Sequence, residues 1–239
     1  MDTVLEDFGR LAEYGHVPES TAPGHKDGWG VVAHNKGGVS FYARSTEDAF
    51  SDPRFREVAD FVGKTSPDVL ISHFRKASIG SVNIPNTHPF LNGKISFCHN
   101  GSIRSEISLS ENSEALLQGE TDSERFFFMI LEKMQAGASL KDALKNCVKL
   151  ARENFDFTAI NLLISDGGFV WALREINEKS EIVQKENLLD YYSLFLGKNK
   201  SSFVICSEQL SVGGDWQLMQ NHELVEIDVA NSVVESEVI

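Results

Sequence analysis

The chain has 239 residues, 41% of them hydrophobic and 24% charged, with a formal net charge of −13. That length supports a core without disulfide or metal staples, and so acidic a balance excludes a surface built to hold nucleic-acid phosphates, which needs clustered Lys and Arg. No run of about 18 apolar residues is present, so a membrane-spanning helix is excluded as well.

The opening, Met1-Asp2-Thr3-Val4-Leu5-Glu6-Asp7, has neither the basic start nor the apolar stretch of a secretory signal, which predicts a cytoplasmic protein. Val4, Leu5, Phe8, Leu11 and Ala12 share one face of a helix over residues 3–15, with Gly15 as its stop. A loop containing Pro, Ser, Thr and Gly runs on to Lys26. Strands at 29–34 and 39–44 flank Asn35-Lys36-Gly37-Gly38 as a hairpin. Asp52-Pro53 then opens a helix bearing Phe55, Val58, Ala59, Phe61 and Val62, where Pro suits the first turn. Residues 69–74 read as a strand that delivers Arg75, and residues 94–98 as one that delivers His99-Asn100-Gly101.

Ser123 to Met134 and Leu140 to Ala151 are helical by period. Strands are expected at 157–165, 169–174, 203–207 and 224–229, with Asp166-Gly167-Gly168 as a tight turn. Residues 177–185 read as a surface loop or the margin of a hairpin. No repeat or linker divides the chain, so residues 1–239 are expected to form one α+β domain, its strands mostly antiparallel and its helices in separate blocks. Cys98, Cys147 and Cys206 make no C-x-x-C pattern, and the seven histidines no HExxH. An odd, scattered set of cysteines suits free thiols in a reducing compartment; neither a metal nor another cofactor is expected.

The polar residues at the element ends suggest chemistry. A small amino-acid amide such as glutamine needs a planar, bidentate cation for its α-carboxylate, which Arg supplies and Lys does not. It needs a carboxylate for its α-amine, and neutral donors aimed at the oxyanion that forms when its amide carbonyl is attacked. Arg75, Asp122, Asn100 and Gly101 are the right types, and a residue without Cβ at 101 lets a substrate approach the backbone. Each also has a plainer reading. Arg75 can pair with an acidic neighbour, Asp122 can serve as a helix-start residue, and Asn100-Gly101 is a common hairpin turn. His88 and His99 can be structural, Trp29 a core aromatic, and Phe126, Phe127 and Phe128 packing.

GHKDGWG (24–30), HFRKAS (73–78), NTHPF (86–90), FCHNGSI (97–103), ETDSE (120–124) and CSEQL…DW…NHELVEID (206–228) together resemble the class II glutamine amidotransferases, in particular their small stand-alone branch of amidotransferases and γ-glutamyl hydrolases. The motifs span nearly the whole chain in the right order. The resemblance implies an N-terminal-nucleophile hydrolase fold, a four-layer αββα sandwich of two mostly antiparallel sheets. It implies amide hydrolysis of glutamine or a γ-glutamyl compound through a thioester on an N-terminal cysteine whose own α-amine is the base. By position, Arg75 would bind the α-carboxylate, Asp122 the α-amine, and Asn100 with the Gly101 N–H would form the oxyanion hole. Trp29 and His88 would shape or support the pocket. An ammonia acceptor would lie on a synthase or peptidase partner subunit, or the reaction would end in hydrolysis.

Family members open on Met-Cys and a short apolar strand, whereas this sequence opens on the helix that follows. The first strand and its nucleophile are therefore expected upstream of Met1; the alternative is an inactive homologue that binds a glutamyl ligand or regulates. Asp2 cannot substitute, because a carboxylate attacks amides poorly. Cys98 adjoins the oxyanion motif, but an internal thiol lacks the α-amine, and a buried, inert cysteine is the norm in a strand. Cys147, on an amphipathic helix, reads as packing, and Cys206 is a still weaker candidate than Cys98.

Overall fold

In the computed structural model, which describes residues 2–18, 21–199 and 202–239, the chain starts with α1 (Asp2–Gly9) and α2 (Leu11–Tyr14). Met1, and Glu19 and Ser20 of the first loop, lie outside the described residues. The single helix expected over 3–15 is thus two, divided at Arg10, and Gly15 does end it, its N–H donating to the Leu11 carbonyl at 3.0 Å. β1 (Trp29–Asn35) and β2 (Gly38–Ser45) form the expected hairpin. Its two turn residues, Lys36 and Gly37, have φ of 51° and 74°, the left-handed pair that matches strand twist in a two-residue turn.

Asp52 caps α3 (Pro53–Thr65), accepting from the Arg54 N–H at 3.0 Å. The helix buries Phe55, Ala59 and Val62, while Phe61 stays exposed and leans on Phe41. β3 (Val69–Phe74), β4 (Phe90–Asn92), β5 (Ile95–Asn100) and α4 (Glu111–Glu114) follow. The long helices are α5 (Asp122–Gln135) and α6 (Leu140–Asn154). β6 (Asn161–Ser165) and β7 (Phe169–Arg174) are joined by the expected turn, in which Asp166 Oδ1 accepts from the Gly168 and Phe169 N–H groups. The strand expected from 157 starts only at 161, because Phe157 and Ala159 make isolated bridges to Ile103 and Ile176 instead.

Residues 177–185, expected as a surface loop or the margin of a hairpin, include α7 (Glu181–Lys185), anchored by the fully buried Val183. The chain closes with β8 (Phe195–Asn199), β9 (Ser202–Cys206), β10 (Asp215–Leu218), β11 (Glu223–Asp228) and β12 (Val233–Val238).

The strands order as β2-β1-β3, β10-β8-β9 and β12-β11-β7-β6-β5-β4, with every pairing antiparallel. The apolar stripes of α5 and α6 pack on one face of the six-stranded sheet, through Phe127 on Phe97 and through Leu144, Val148 and Ile164. Its other face meets Val32 and Ile71 of the β1–β3 sheet and Leu196, Phe203 and Ile205 of the β8–β10 sheet. α1 and α3 cover the outside of β1–β3 with Leu5, Phe55 and Val62. The result is the expected αββα layering, with one departure: one sheet layer is in two three-stranded halves. Among the described residues no helix is long and apolar enough to cross a membrane.

Candidate active site

Three element ends converge on one cavity of about 590 Å³. β3 hands the chain on to Arg75, β5 ends at Asn100 and hands on Gly101, and α5 begins at Asp122; all four residues line the cavity, as does His88. Strand and helix ends are rigid places from which to aim polar groups.

Arg75 is only 4% exposed. Its guanidinium donates to main-chain carbonyls, Nη1 to Ser81 at 3.0 Å and Nη2 to Ile79 and Gly80 at 3.2 and 3.3 Å. Burial lowers its pKa, against the opposing pull of the Asp27 carboxylate. Carbonyls orient the fork without neutralising it, so the cation keeps its charge for a bound carboxylate. Asp27 fixes the backbone here: its N–H donates to the Arg75 carbonyl at 3.0 Å and its Oδ2 accepts from the Ala77 N–H at 2.8 Å.

Asp122 is the first residue of α5, behind the cap Thr121, whose hydroxyl accepts from the Glu124 N–H. One carboxylate oxygen of Asp122 accepts from the Ile103 N–H at 2.6 Å, tying the helix start to the corner after Asn100-Gly101. That corner is forced by Gly101. Its φ is +151°, and a Cβ there would stand 1.9 Å from the Ala159 carbonyl oxygen, far inside van der Waals contact. Asn100 pairs across the sheet with Asn161.

Buried His88 and His99 and half-buried His25 and His73 line this cavity. His99 Nε2 lies 3.1 Å from the Ala159 carbonyl and Nδ1 lies 2.8 Å from the Ser123 hydroxyl. A carbonyl only accepts, so Nε2 carries the proton and Nδ1 accepts from Ser123. Burial lowers the His99 pKa despite the opposing Asp122 charge. His73 is pushed down to about 3, and His88 well below its ordinary value, in both cases chiefly by burial. Their rings stand 4.5 Å apart. Beside these histidines, the positive charge on the cavity wall is carried by Arg75, with Lys76 and Arg104 also among the lining residues.

The sequence-derived residues do not all meet. Arg75, Asn100, Gly101, Asp122 and His88 share the cavity, whereas Trp29 lies in the core beneath α3, its indole N–H donating to Asp52 Oδ2 at 3.0 Å. Its β-strand neighbours carry the alternation that turns it away from the ligand side. Asn86, so far only one letter of NTHPF, proves central. Its Nδ2 donates to the Ser81 carbonyl at 2.9 Å and its Oδ1 accepts from the Glu120 N–H at 2.8 Å. It thus joins the loop that holds Arg75 to the approach to Asp122, and nothing in the sequence marked it as buried.

None of the three thiols is poised to attack. Cys98 lines the cavity but is pushed up to about 12 by burial, and so is Cys147; Cys206 rises to about 11 from the same cause. A thiol held this far above neutrality carries almost no thiolate.

A sequence model of the family "Glutamine amidotransferases class-II" matches residues 14–236. The chain is 32% identical over 162 residues to the putative glutamine amidotransferase YafJ of Escherichia coli, covering 64% of this chain and 62% of that one. It is 27% identical over 229 residues to the uncharacterized protein MJ1515 of Methanocaldococcus jannaschii, covering 84% and 61%. The chain thus spans about three-fifths of the length of these two relatives. In fold it resembles the glutamine aminotransferase class-II domain protein of Silicibacter pomeroyi, with a TM-score of 0.61 and 19% identity over 88% of this chain and 91% of that one. It also resembles the glutamine phosphoribosylpyrophosphate amidotransferase of B. subtilis, with a TM-score of 0.64 and 17% identity over 99% of this chain and 45% of that one. With the family match running almost end to end over a fold and a cavity of this kind, the chain belongs to the class-II glutamine amidotransferases.

Proposed function

We propose that the chain, acting as one domain over residues 1–239, binds the amino-acid head of glutamine or a γ-glutamyl compound and presents its side-chain amide for hydrolysis. The observation that carries this reading is the meeting of Arg75, Asn100, Gly101 and Asp122 in one cavity from three separate elements. The Arg75 fork takes the α-carboxylate and Asp122 takes the α-ammonium. The side-chain amide of Asn100 and the N–H of Gly101 donate to the oxygen that becomes negative as the amide carbon turns tetrahedral. His88 backs the pocket, with Trp29 supporting from the core.

The attacking group is a cysteine at a free N-terminus, reached through a segment ahead of α1. Its thiol adds to the amide carbon and its α-amine takes the thiol proton and passes it to the departing nitrogen, which leaves as ammonia or an amine. Water then cleaves the thioester to release the glutamyl carboxylate and restore the thiol. The buried, high-pKa state of Cys98, Cys147 and Cys206 supports placing the nucleophile outside these three. The same observation favours a second reading, in which this chain binds a glutamyl ligand without turnover, as a regulatory subunit. A synthase or peptidase partner would use the ammonia or supply the γ-glutamyl compound; the B. subtilis enzyme, of which this chain covers 45%, extends well beyond the shared fold.

The test is release of glutamate from glutamine and from a γ-glutamyl dipeptide by a chain extended to begin with cysteine. Turnover lost in Asn100→Ala supports hydrolysis. Saturable binding with no turnover supports the second reading, and neither binding nor turnover overturns both.

A further inference from the structure

The cavity has a wall to which the glutamyl head assigns no role. Ile182 of α7, and Leu188, Tyr191 and Tyr192 after it, line the same space as Arg75, Asn100, Gly101 and Asp122. They stand on a small core of their own, in which Leu188 and Tyr192 are buried with Val183, Ala159 and Ile176, while Ile182 and Tyr191 pack on it half-buried. Tyr191 meets Tyr192 edge to face, with ring centroids 5.0 Å apart. At about 590 Å³ the cavity exceeds what an amino acid fills, and it lies within the roughly 300–1,000 Å³ of pockets that enclose ligands of drug size.

This wall is built onto the corner that carries Asn100 and Gly101. The Tyr192 hydroxyl donates to Thr158 Oγ1 at 2.9 Å, and Thr158 Oγ1 accepts from the Ser102 N–H at 3.1 Å. Asn161, the cross-strand partner of Asn100, donates from Nδ2 to the Tyr192 carbonyl at 2.8 Å, and its Oδ1 accepts from the Glu175 N–H at 2.8 Å. Ala159, a member of the same small core, supplies the carbonyl against which Gly101 packs. The ionised group that acts on Tyr191 is Glu208, whose Oε1 accepts from the His16 N–H at 2.7 Å. After burial and the Tyr192 phenol, its carboxylate raises the Tyr191 pKa, so Tyr191 stays neutral. A neutral ring is accommodated beside these groups, whereas a second carboxylate is repelled by Glu208.

We propose that the wall of Ile182, Leu188, Tyr191 and Tyr192 receives the amine portion of the substrate, and that the substrate is a γ-glutamyl amide of an uncharged aromatic amine in preference to glutamine itself. The inference deepens the proposed function and rests on it. In an amide, the nitrogen is bonded to the carbon that carries the oxygen. With that oxygen at Asn100 and Gly101, and the head at Arg75 and Asp122, a substituent on the nitrogen starts beside the corner to which Tyr192 is tied. A flat apolar group there buries its faces against Ile182 and Leu188 and meets the tyrosine pair in the edge or offset arrangement that aromatic rings favour.

The experiment titrates the 239-residue chain with L-glutamine, γ-glutamylbenzylamide, γ-glutamylglycine and the γ-glutamyl amide of 1,4-diaminobutane, read by calorimetry. The benzylamide is expected to bind about tenfold or more tighter than glutamine, and the glycine compound no tighter than glutamine. The ratio of benzylamide to glutamine affinity is expected to fall toward one in Tyr191→Ala and to persist in Tyr191→Phe, which keeps the ring. Glutamine binding without a benzylamide advantage overturns the inference and leaves the proposed function standing, whereas no binding of any of the four overturns both. A ratio unchanged in Tyr191→Ala, whether both ligands keep their affinity or weaken alike, overturns the assignment to this wall. Tighter binding of the diaminobutane compound than of the benzylamide overturns the aromatic class.

Discussion

Gly101 is the residue at which the backbone leaves least choice, since its positive φ and the Ala159 carbonyl 1.9 Å from any Cβ both demand glycine. Gly101→Ala must move the corner that carries the proposed oxyanion donors, and its denaturation midpoint is expected to fall by an amount equivalent to about 2 kcal/mol or more. Arg75 offers a second case. Its fork is oriented by three carbonyls, and an ammonium cannot repeat that geometry while gripping a carboxylate with two bonds. Arg75→Lys is expected to keep the fold and to weaken glutamate binding by about tenfold or more, read by calorimetry.

His73 sets a pH dependence. Its native pKa of about 3 lies below the ordinary 6.5, so between those values the unfolded chain holds a proton that the native chain refuses. This contribution is whole above 6.5 and is lost progressively as pH falls toward 3. His88 and His99 shift in the same direction. Melting temperature is expected to drop steadily on acidification through this window, by on the order of a few kcal/mol in stability, with a shallower slope in His73→Asn.

Among the elements, the start of α5 does the most positioning. Thr121 caps it, Asp122 holds the Ile103 N–H, and Ser123 orients His99. Thr121→Ala is expected to cost about 1 kcal/mol, the usual value of such a cap, measurable in the urea midpoint. The link through Asn86 is of another kind, since its loss leaves the Ser81 carbonyl and the Glu120 N–H without their amide partner. Asn86→Ala is expected to weaken glutamate binding although Asn86 belongs to neither charged anchor. Elements with strong local signals were legible: the Lys36-Gly37 turn, the Asp52-Pro53 start of α3, and the apolar stripes of α5 and α6. β10 and β12 were not. Their residues are mostly exposed, so no apolar alternation marks them, and β12 is held by its pairing to β11. α7 escaped for the opposite reason, because one buried residue, Val183, anchors a polar segment.

For the molecule as a whole, the order of the motifs carried more information than any one of them. Arg75, Asn100, Gly101 and Asp122 line one cavity, and the sequence pointed to them because each sits where a strand or helix ends, and ends have recognisable chemistry. That carbonyls and not a carboxylate hold Arg75, and that Trp29 turns into the core, are consequences of long-range packing. Such packing is set by how the layers stack, which the local sequence around each residue does not record.

The most direct measurement is a calorimetric titration of L-glutamate into the 239-residue chain and into Asp122→Asn. The amide can still accept from the Ile103 N–H, as Asp122 Oδ2 does at 2.6 Å, so the substitution removes the charge and spares the corner. Saturable binding by the parent chain, weakened about tenfold or more in the variant, is the expected result. No binding by the parent, or equal binding by both, would contradict a cavity built around a glutamyl head group.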